Sequence, residues 1–556
     1  MQSRDDDLIK RIFANRDVDY SKRSLFISPD ESCIDDPMDY DNMKEGIELF
    51  KYHALRNSKI GILVDPDVDG YMGNGTLYMY LKKLGMDNIT VLVHKDRKHG
   101  LTKFIMEELQ TIDLDFLILV DSGSNDYEQH KVLKERGIDI LVLDHHEAEK
   151  YSEDAIVINN QLSKKANRSL SGAGVCFKFL QQLDKEYGID EATEYYDMIA
   201  TSLIGDCMQL NTLENRYILK RGLANIKNGL LLFFLNKPYA KDVIEIEYNI
   251  DSHINAVTRY GDMDLKLRMF LAIVGELDTN DFIKTMVEIK ETKREQSKDV
   301  EGIIDSLDIK GTEEYSPFCY CILEEGMKKG LSGLIASVTA RSNKKPCLVL
   351  YKEDGLYKGS ARTNTNKMNF RAYLEEIGLF EYCLGHANAF GICITELNLK
   401  SLESQTRSLP TINGCTYHVD AEYLDGQVSV FDIHSVDSYQ SLWCRGFEEP
   451  LFYIKLKDIN FSDVNLIGAK NDTIKIVDNY IQYMFFRLEP SQILEMRSVM
   501  EFDLEIIGKF RINNWNGRTI PQVIVEDYEI INKRDGETVQ APQPFAENPF
   551  FCFAAA

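Results

Sequence analysis

A chain of 556 residues is too long for one hydrophobic core, so two to four domains are expected. Hydrophobic residues at 44% and charged residues at 28%, with only 13 Pro, are the balance of a globular protein and exclude wholesale disorder. The net charge of −25 argues against non-specific coating of a polyanion, so any nucleic acid would have to be met by a local cationic groove and bound cations.

The start, Met1 to Asp7, is charged and lacks the apolar stretch of a secretory signal, so a cytoplasmic protein is expected. From Lys59 to about Asp206, short apolar β-rich runs alternate with amphipathic stretches. The runs begin at Lys59, Ile89, Phe116, Ile138 and Ala155. Strands apolar on both faces and separated by helix-length segments predict a parallel sheet covered by helices. Three of these runs end directly in an acid: Val64 into Asp65, Val120 into Asp121, Leu143 into Asp144. Ligands of open parallel sheets bind beyond the carboxyl ends of strands, so these side chains can converge on one crevice.

Residues 215 to 310 read as helical, and Gly229 to Leu235 is too short to cross a membrane. A second α/β segment follows, with strands at Cys319 to Leu323 and Cys347 to Tyr351 and a helix from Gly333 to Ser342. Period-two alternation then runs to about Asn532 and predicts a small β-barrel, with Asn516-Gly517 as a hairpin turn. The expected division is an N-terminal extension (1–44), an α/β domain (45–215), a helical connector (216–310), a smaller α/β domain (311–400), the barrel (401–533) and a flexible tail (534–556) ending in a Phe-rich stretch.

Eleven Cys without a CxxC pair set aside a thiolate zinc site, which leaves Asp and His for any metal. Asp65, Asp67 and Asp69 leave a strand for a turn at Gly70, and uncompensated carboxylates at close range raise their own pKa values. A divalent cation is the usual remedy, and Asp121, His145 and Asp206 can complete its shell. Mixed carboxylate and imidazole ligation suits Mn²⁺, with Mg²⁺ next. For one Asp, capping of the next helix explains as much. For Asp-x-Asp-x-Asp-Gly, Asp121-Ser122-Gly123 and Asp144-His145-His146, all after strands of one sheet, it does not.

These signatures, in this order, resemble the DHH phosphoesterases, specifically the RecJ-like exonucleases. Downstream matches are Leu170 to Val175, Gly205-Asp206, Glu214-Asn215-Arg216, Ile254-Asn255-Ala256 with Arg259, Lys358 to Arg362 and Gly385 to Gly391. Asn514 to Arg518 resembles part of the family's oligonucleotide-binding barrel. The resemblance spans about residues 40 to 530. It implies a DHH-type sheet domain, a DHH-associated domain and an OB-like barrel. It also makes Asp67, Asp69, Asp121, His145 and Asp206 ligands of two metal ions, with Asp65 either an additional ligand or a residue that supports the ligands from behind. His146 would face the scissile phosphate and Asp144 would orient the histidines. Ser360 and Arg362, with Arg97 and with His386 beside Gly385, would bind a terminal 5′-phosphate.

The bland alternatives are a surface ion pair for Arg362, a core position for His386 and a solvated surface for Lys344 and Lys345. Val64, Leu384 and the stretch Tyr71 to Gly75 depart from the family's pattern; they remove no ligand and bear on the shape of the entrance.

The activity implied is 5′-to-3′ hydrolysis of single-stranded DNA in recombination, repair or replication. The chain would act as a monomer, with a single-strand-binding or replication and repair protein as partner and no membrane. Trp515, Tyr480, Tyr483 and Phe485 are candidates to stack on bases or to fill the core. The alternatives are an oligoribonucleotide or cyclic-dinucleotide phosphodiesterase, against which the barrel argues, and an inactive replication scaffold, against which the full ligand set argues.

Overall fold

The computed structural model describes residues 2–534 apart from 314–315, 325, 344, 364–368, 406–416, 425–427, 469–470, 487, 489 and 516. The expectations for Lys344, Asn516 and the tail from 535 onward, with its Phe-rich stretch, lie outside the described residues. The chain divides into a large unit, 21–416 with 444–447, and a smaller one formed by 1–20, 417–443 and 448–556. Among the described residues no helix is long and apolar enough to cross a membrane.

The large unit opens on a parallel sheet of five strands: β1 (Ile60–Val64), β2 (Ile89–Val93), β3 (Phe116–Val120), β4 (Asp139–Asp144) and β5 (Ile156–Asn159), in the order β2-β1-β3-β4-β5. Every residue of β1 and β3 is buried, as expected of strands apolar on both faces. Leu63, Leu117, Leu119, Ile140 and Val142 share one core cluster, each side chain contributing roughly 1.5–3 kcal/mol by burial.

Helix α1 (Val68–Lys83) follows β1, and α2 (Gly172–Tyr187) packs against it. Gly73 makes their closeness feasible, since a Cβ there would come 2.7 Å from Val120 Cγ1 and 3.1 Å from Ala173 Cα. Tyr71, Met72, Gly73 and Asn74 are therefore interior residues of α1. The Tyr71 hydroxyl donates to the Lys266 carbonyl at 3.3 Å, and the Asn74 amide donates to the Gly70 carbonyl at 2.9 Å. The stretch shapes the helix packing and not an entrance.

The expected connector is helical, with α3 (Ser252–Tyr260), α4 (Met263–Ile273) and the 28-residue α5 (Thr279–Ser306). The second sheet, in the same unit, contains β6 (Cys319–Leu323), β7 (Cys347–Glu353), β8 (Leu356–Arg362), β9 (Tyr382–His386) and β10 (Ala389–Thr395) in the order β6-β7-β8-β10-β9. Helix α6 (Ser332–Asn343) packs on β7 and β8.

The smaller unit is a seven-stranded sheet consistent with an OB-like fold. Its longest ladder pairs Glu501–Trp515 with Arg518–Arg534, from Glu501↔Arg534 to Trp515↔Arg518. The described pairings run from the edge strand Ala421–Tyr423 to the edge strand Asn465–Ile467 without closing one on the other, the partly open form such folds take. Phe452 and Phe510 stack at 3.8 Å in its core. Helix Gln2–Ala14 belongs here: Ile12 and Phe13 are buried, and Arg16 Nη2 donates to Asp420 Oδ2 at 2.9 Å. Of the proposed stacking aromatics, Tyr483 and Phe485 are core, Tyr480 is 90% exposed, and the Trp515 side chain is outside the described residues.

Candidate metal centre

The sheet order puts β2 and β3 on opposite sides of β1, so the chain reverses its direction of travel at the carboxyl ends of β1 and β3, where a ligand crevice forms. Asp65 follows β1, Asp121 follows β3, and Asp144 is the last residue of β4. Gly70 is not the turn the sequence suggested, because α1 has already begun at Val68. Its lack of a side chain serves another end: a Cβ would fall 2.5 Å from Asp65 Cβ. Asp67 caps α1, accepting the Gly70 N–H at 3.0 Å on Oδ1, so capping occupies one of its oxygens. Asp69 points the other way, and its carboxylate accepts the N–H groups of Gly172 at 2.7 Å and Ala173 at 2.9 Å and the Ser202 hydroxyl at 2.5 Å. The positive end of α2 thereby holds a buried anion.

Asp121, Asp206 and Asp69 converge on His145. Its Nε2 is 3.1 Å from Asp121 Oδ1, 3.4 Å from Asp206 Oδ2 and 3.7 Å from Asp69 Oδ2. Asp121 is held in the left-handed region at φ 69°, a conformation that costs a non-glycine residue about 1–2 kcal/mol. Gly172 admits it, because a Cβ there would lie 2.5 Å from Asp121 Cα. Both Asp121 carboxylate oxygens and His145 Nε2 are buried without a hydrogen-bond partner. Burial and the charges of Asp69 and Asp67 push the Asp121 carboxyl well up, and burial with the Asp69 charge does the same to Asp206. Orphaned acceptors in mutual repulsion suit a divalent cation, and Asp69 with His145 and Asp206, and Asp121 with His145 and His146, each bring three ligand atoms within 4.8 Å of one another.

Asp144 acts from behind. Its Oδ1 accepts the His145 N–H at 2.8 Å and is 2.8 Å from His146 Nδ1, and its Oδ2 accepts the Ser124 N–H at 3.1 Å. Burial opposes the Asp144 anion, but the hydrogen bond and charge of His146 prevail and hold the carboxyl below its usual range. Burial likewise opposes charge on His146, and the Asp144 hydrogen bond and charge override it, lifting the imidazole to about 10. His146 is 48% exposed, so its remaining nitrogen is the one available to a substrate.

Asp65 faces a different set of groups. It is fully buried and pairs with His99 Nδ1, while its Oδ1 accepts the Gly100 N–H at 3.1 Å and lies 3.6 Å from His94 Nε2. Burial pushes its carboxyl up to about 6 against the opposing effect of His99. Asp65, Asp67 and His99 form a third group able to hold a metal. The sequence reading missed both histidines. The signal was present, because β2 ends at Val93 and the next residue, His94, is polar, the same pattern that marks Asp65, Asp121 and Asp144.

Arg97, Arg259 and Arg362 lie within electrostatic reach of one another, and burial lowers each guanidinium, Arg259 to about 10. Among the described residues none of the three has an ion pair within 4 Å, and the Asp67 charge reaches Arg97 and Arg259. Arg362 Nη1 donates to the carbonyls of Ala361 at 2.7 Å and Phe390 at 3.3 Å. Ser360 Oγ is 3.0 Å from Ser332 Oγ at the start of α6. Arg362 crosses the same turn, and a Cβ on Gly333 would come 2.8 Å from its Nη2. His386 ends β9, and its side chain lies outside the described residues. Arg259, from α3, is the addition to the expected phosphate-binding set.

Residues 59–203 match the DHH family, N-terminal domain. Over its whole length the chain is similar to RecJ-type proteins. It is 29% identical, across 96% of this chain and 98% of the other, to YorK, an SPbeta prophage-derived protein of Bacillus subtilis strain 168 whose name describes a single-strand DNA-specific exonuclease. It is 24% identical to the single-stranded-DNA-specific exonuclease RecJ of the same organism, across 98% of this chain and 72% of that one. The fold is that of RecJ from Thermus thermophilus, solved in complex with Mn²⁺: the TM-score is 0.73 at 19% identity, covering 95% of this chain and 76% of that one.

Proposed function

We propose that this chain is a divalent-metal-dependent nuclease that hydrolyses single-stranded DNA from the 5′ end with two cations, Mn²⁺ or Mg²⁺. The observation that carries the reading is the buried pair Asp121 and His145, whose three polar atoms face a carboxylate-lined space with no partner. When bound, the cations supply Lewis acidity and an activated water. Asp69, Asp121, His145 and Asp206 hold one of them, with Asp67 and Asp65 beside the other. Asp144 fixes His146 through Nδ1, leaving the protonated imidazole to donate to the scissile phosphate. Ser360, Arg97, Arg362 and Arg259 grip a terminal 5′-phosphate, with His386 a further candidate from the sequence, and their excess of positive charge favours the doubly charged monoester.

The likeness to YorK and to RecJ across nearly the whole chain supports single-stranded DNA as substrate, and the role proposed with it is a cytoplasmic one in recombination, repair or replication. In this reading 45–215 is the catalytic domain, 216–310 the connector, 311–400 the phosphate-binding domain and 401–533 the strand-binding one. The protein works as a monomer beside a single-strand-binding or replication and repair protein.

Purified protein incubated with Mn²⁺ and end-labelled single strands tests this. Release of mononucleotides from the 5′ end, faster with a 5′-phosphate, is the expected result. Cleavage confined to dinucleotides or very short RNA, or no turnover at all, would overturn it.

A further inference from the structure

We infer that His94 and His99, from the segment following β2, join Asp65 and Asp67 as ligands of one of the two cations, which makes that position rich in imidazole and distinct from the one at His145. The inference rests on the metal reading above and assigns residues that neither the sequence motifs nor the family resemblance supplied.

Two observations carry it. His99 Nδ1 pairs with Asp65 and is 4.0 Å from Asp67 Oδ2, and the three ligand atoms lie within 4.8 Å of one another. Independently, His94 is 2% exposed, and its Nε2, 3.6 Å from Asp65 Oδ1, is buried with no hydrogen-bond partner. An imidazole nitrogen kept dry and unpartnered beside a buried carboxylate is costly unless something else occupies its lone pair. Ligand atoms held at roughly 2.1 Å from one ion lie at most about 4.2 Å apart; the His99–Asp67 and His94–Asp65 distances satisfy that limit, and His94 meets the group of Asp65, Asp67 and His99 through Asp65.

The segment is also braced for the task. The buried Lys266 ammonium of α4 donates to the carbonyls of His94 at 3.2 Å and Lys95 at 2.8 Å. At its far end Gly100, at φ 70°, turns its N–H onto Asp65. Two imidazoles with two carboxylates favour Mn²⁺ and the later transition ions over Mg²⁺, which prefers an all-oxygen shell and keeps its waters. This position should therefore set the metal preference of the protein.

Mn²⁺ binding to the full chain, followed by the electron paramagnetic resonance signal of the free ion, counts sites without reference to turnover. Wild-type protein is expected to take up two Mn²⁺. His99→Ala, at a half-exposed position that does not threaten the core, should keep one at wild-type affinity and weaken the other at least about 10-fold, with Mg²⁺ uptake little changed. His99→Asp, which restores a ligand, should recover most of the loss. His94→Ala should act in the same direction, with the circular dichroism of the metal-free variant establishing that it is folded. Two Mn²⁺ bound at wild-type affinity by His99→Ala and by a folded His94→Ala would overturn this inference and leave the two-metal reading standing. Fewer than two bound by the wild type would overturn both.

Discussion

Two clusters of like charge share the large unit, and they are held in different ways. The carboxylates at the strand ends are fixed from behind: Asp69 by two helix N–H groups and a serine, Asp67 by its own cap, Asp144 by three backbone N–H groups. The arginines have two carbonyl contacts from Arg362, and among the described residues they form no close ion pair, the Asp67 charge reaching Arg97 and Arg259 from farther off. The acids are held by the backbone itself, the kind of fixed placement from which electrostatic catalysis gains most. The arginines are long side chains whose planar guanidinium forks suit a phosphate.

The sharpest way to break this contrast is Asp121→Asn. Activity should fall by about 10³-fold or more, while the metal-free protein melts at a higher temperature than wild type, because a repelled buried carboxylate has been neutralised. A fall in both would show that Asp121 is structural. Asp144→Asn should leave Mn²⁺ stoichiometry intact and lower kcat about 10- to 100-fold, since His146 loses both its orientation and the anion that keeps it charged. Arg362→Ala should raise KM about 10-fold for a 5′-phosphorylated strand and hardly at all for a 5′-hydroxyl strand, the scale of one charged hydrogen bond. Equal effects on both strands would deny the arginines their selective role.

The smallest effect is a control outside both clusters. His130 is fully buried with Nδ1 3.1 Å from Ser152 Oγ, and burial pushes it down to about 4. The unfolded chain takes up that proton near pH 6.5 and the folded one does not, so stability contributed by the neutral ring is present above pH 6.5 and lost as pH falls towards 4, about 3 kcal/mol in all. His130→Gln should flatten the fall in denaturation midpoint over that window and leave activity at pH 8 untouched. Acid loss that Mn²⁺ relieves belongs to the carboxylates, and the His130 share is the part Mn²⁺ does not touch.

The parallel sheet and its three acidic strand ends are readable from sequence because both faces of β1, β3 and β4 are apolar and the acids stand where the runs stop. Helix α6 is readable to within one residue at each end. What escapes has physical reasons. Gly70 reads as a turn because glycine usually marks one, yet here it clears space for Asp65 inside a helix. His94 and His99 flank a charged stretch, Lys95 to Lys98, that resembles solvated loop, and only folding shows that His94 is buried and that His99 reaches Asp65. The three arginines come from positions 97, 259 and 362, and no local pattern links such distant residues.

The smaller unit needs residues 1–20 as well as 417–443 and 448–556. Ile12 and Phe13 are covered by partners encoded some four hundred positions later, as in the contact of Phe13 with Tyr439 at 6.3 Å. On the ribosome most of the large unit, all but its segment 444–447, can form while the first helix waits with an apolar face uncovered. The OB-like sheet therefore closes late and from both directions, and a ribosome stalled before about residue 417 would carry a finished metal centre beside an orphaned helix, a natural target for chaperones.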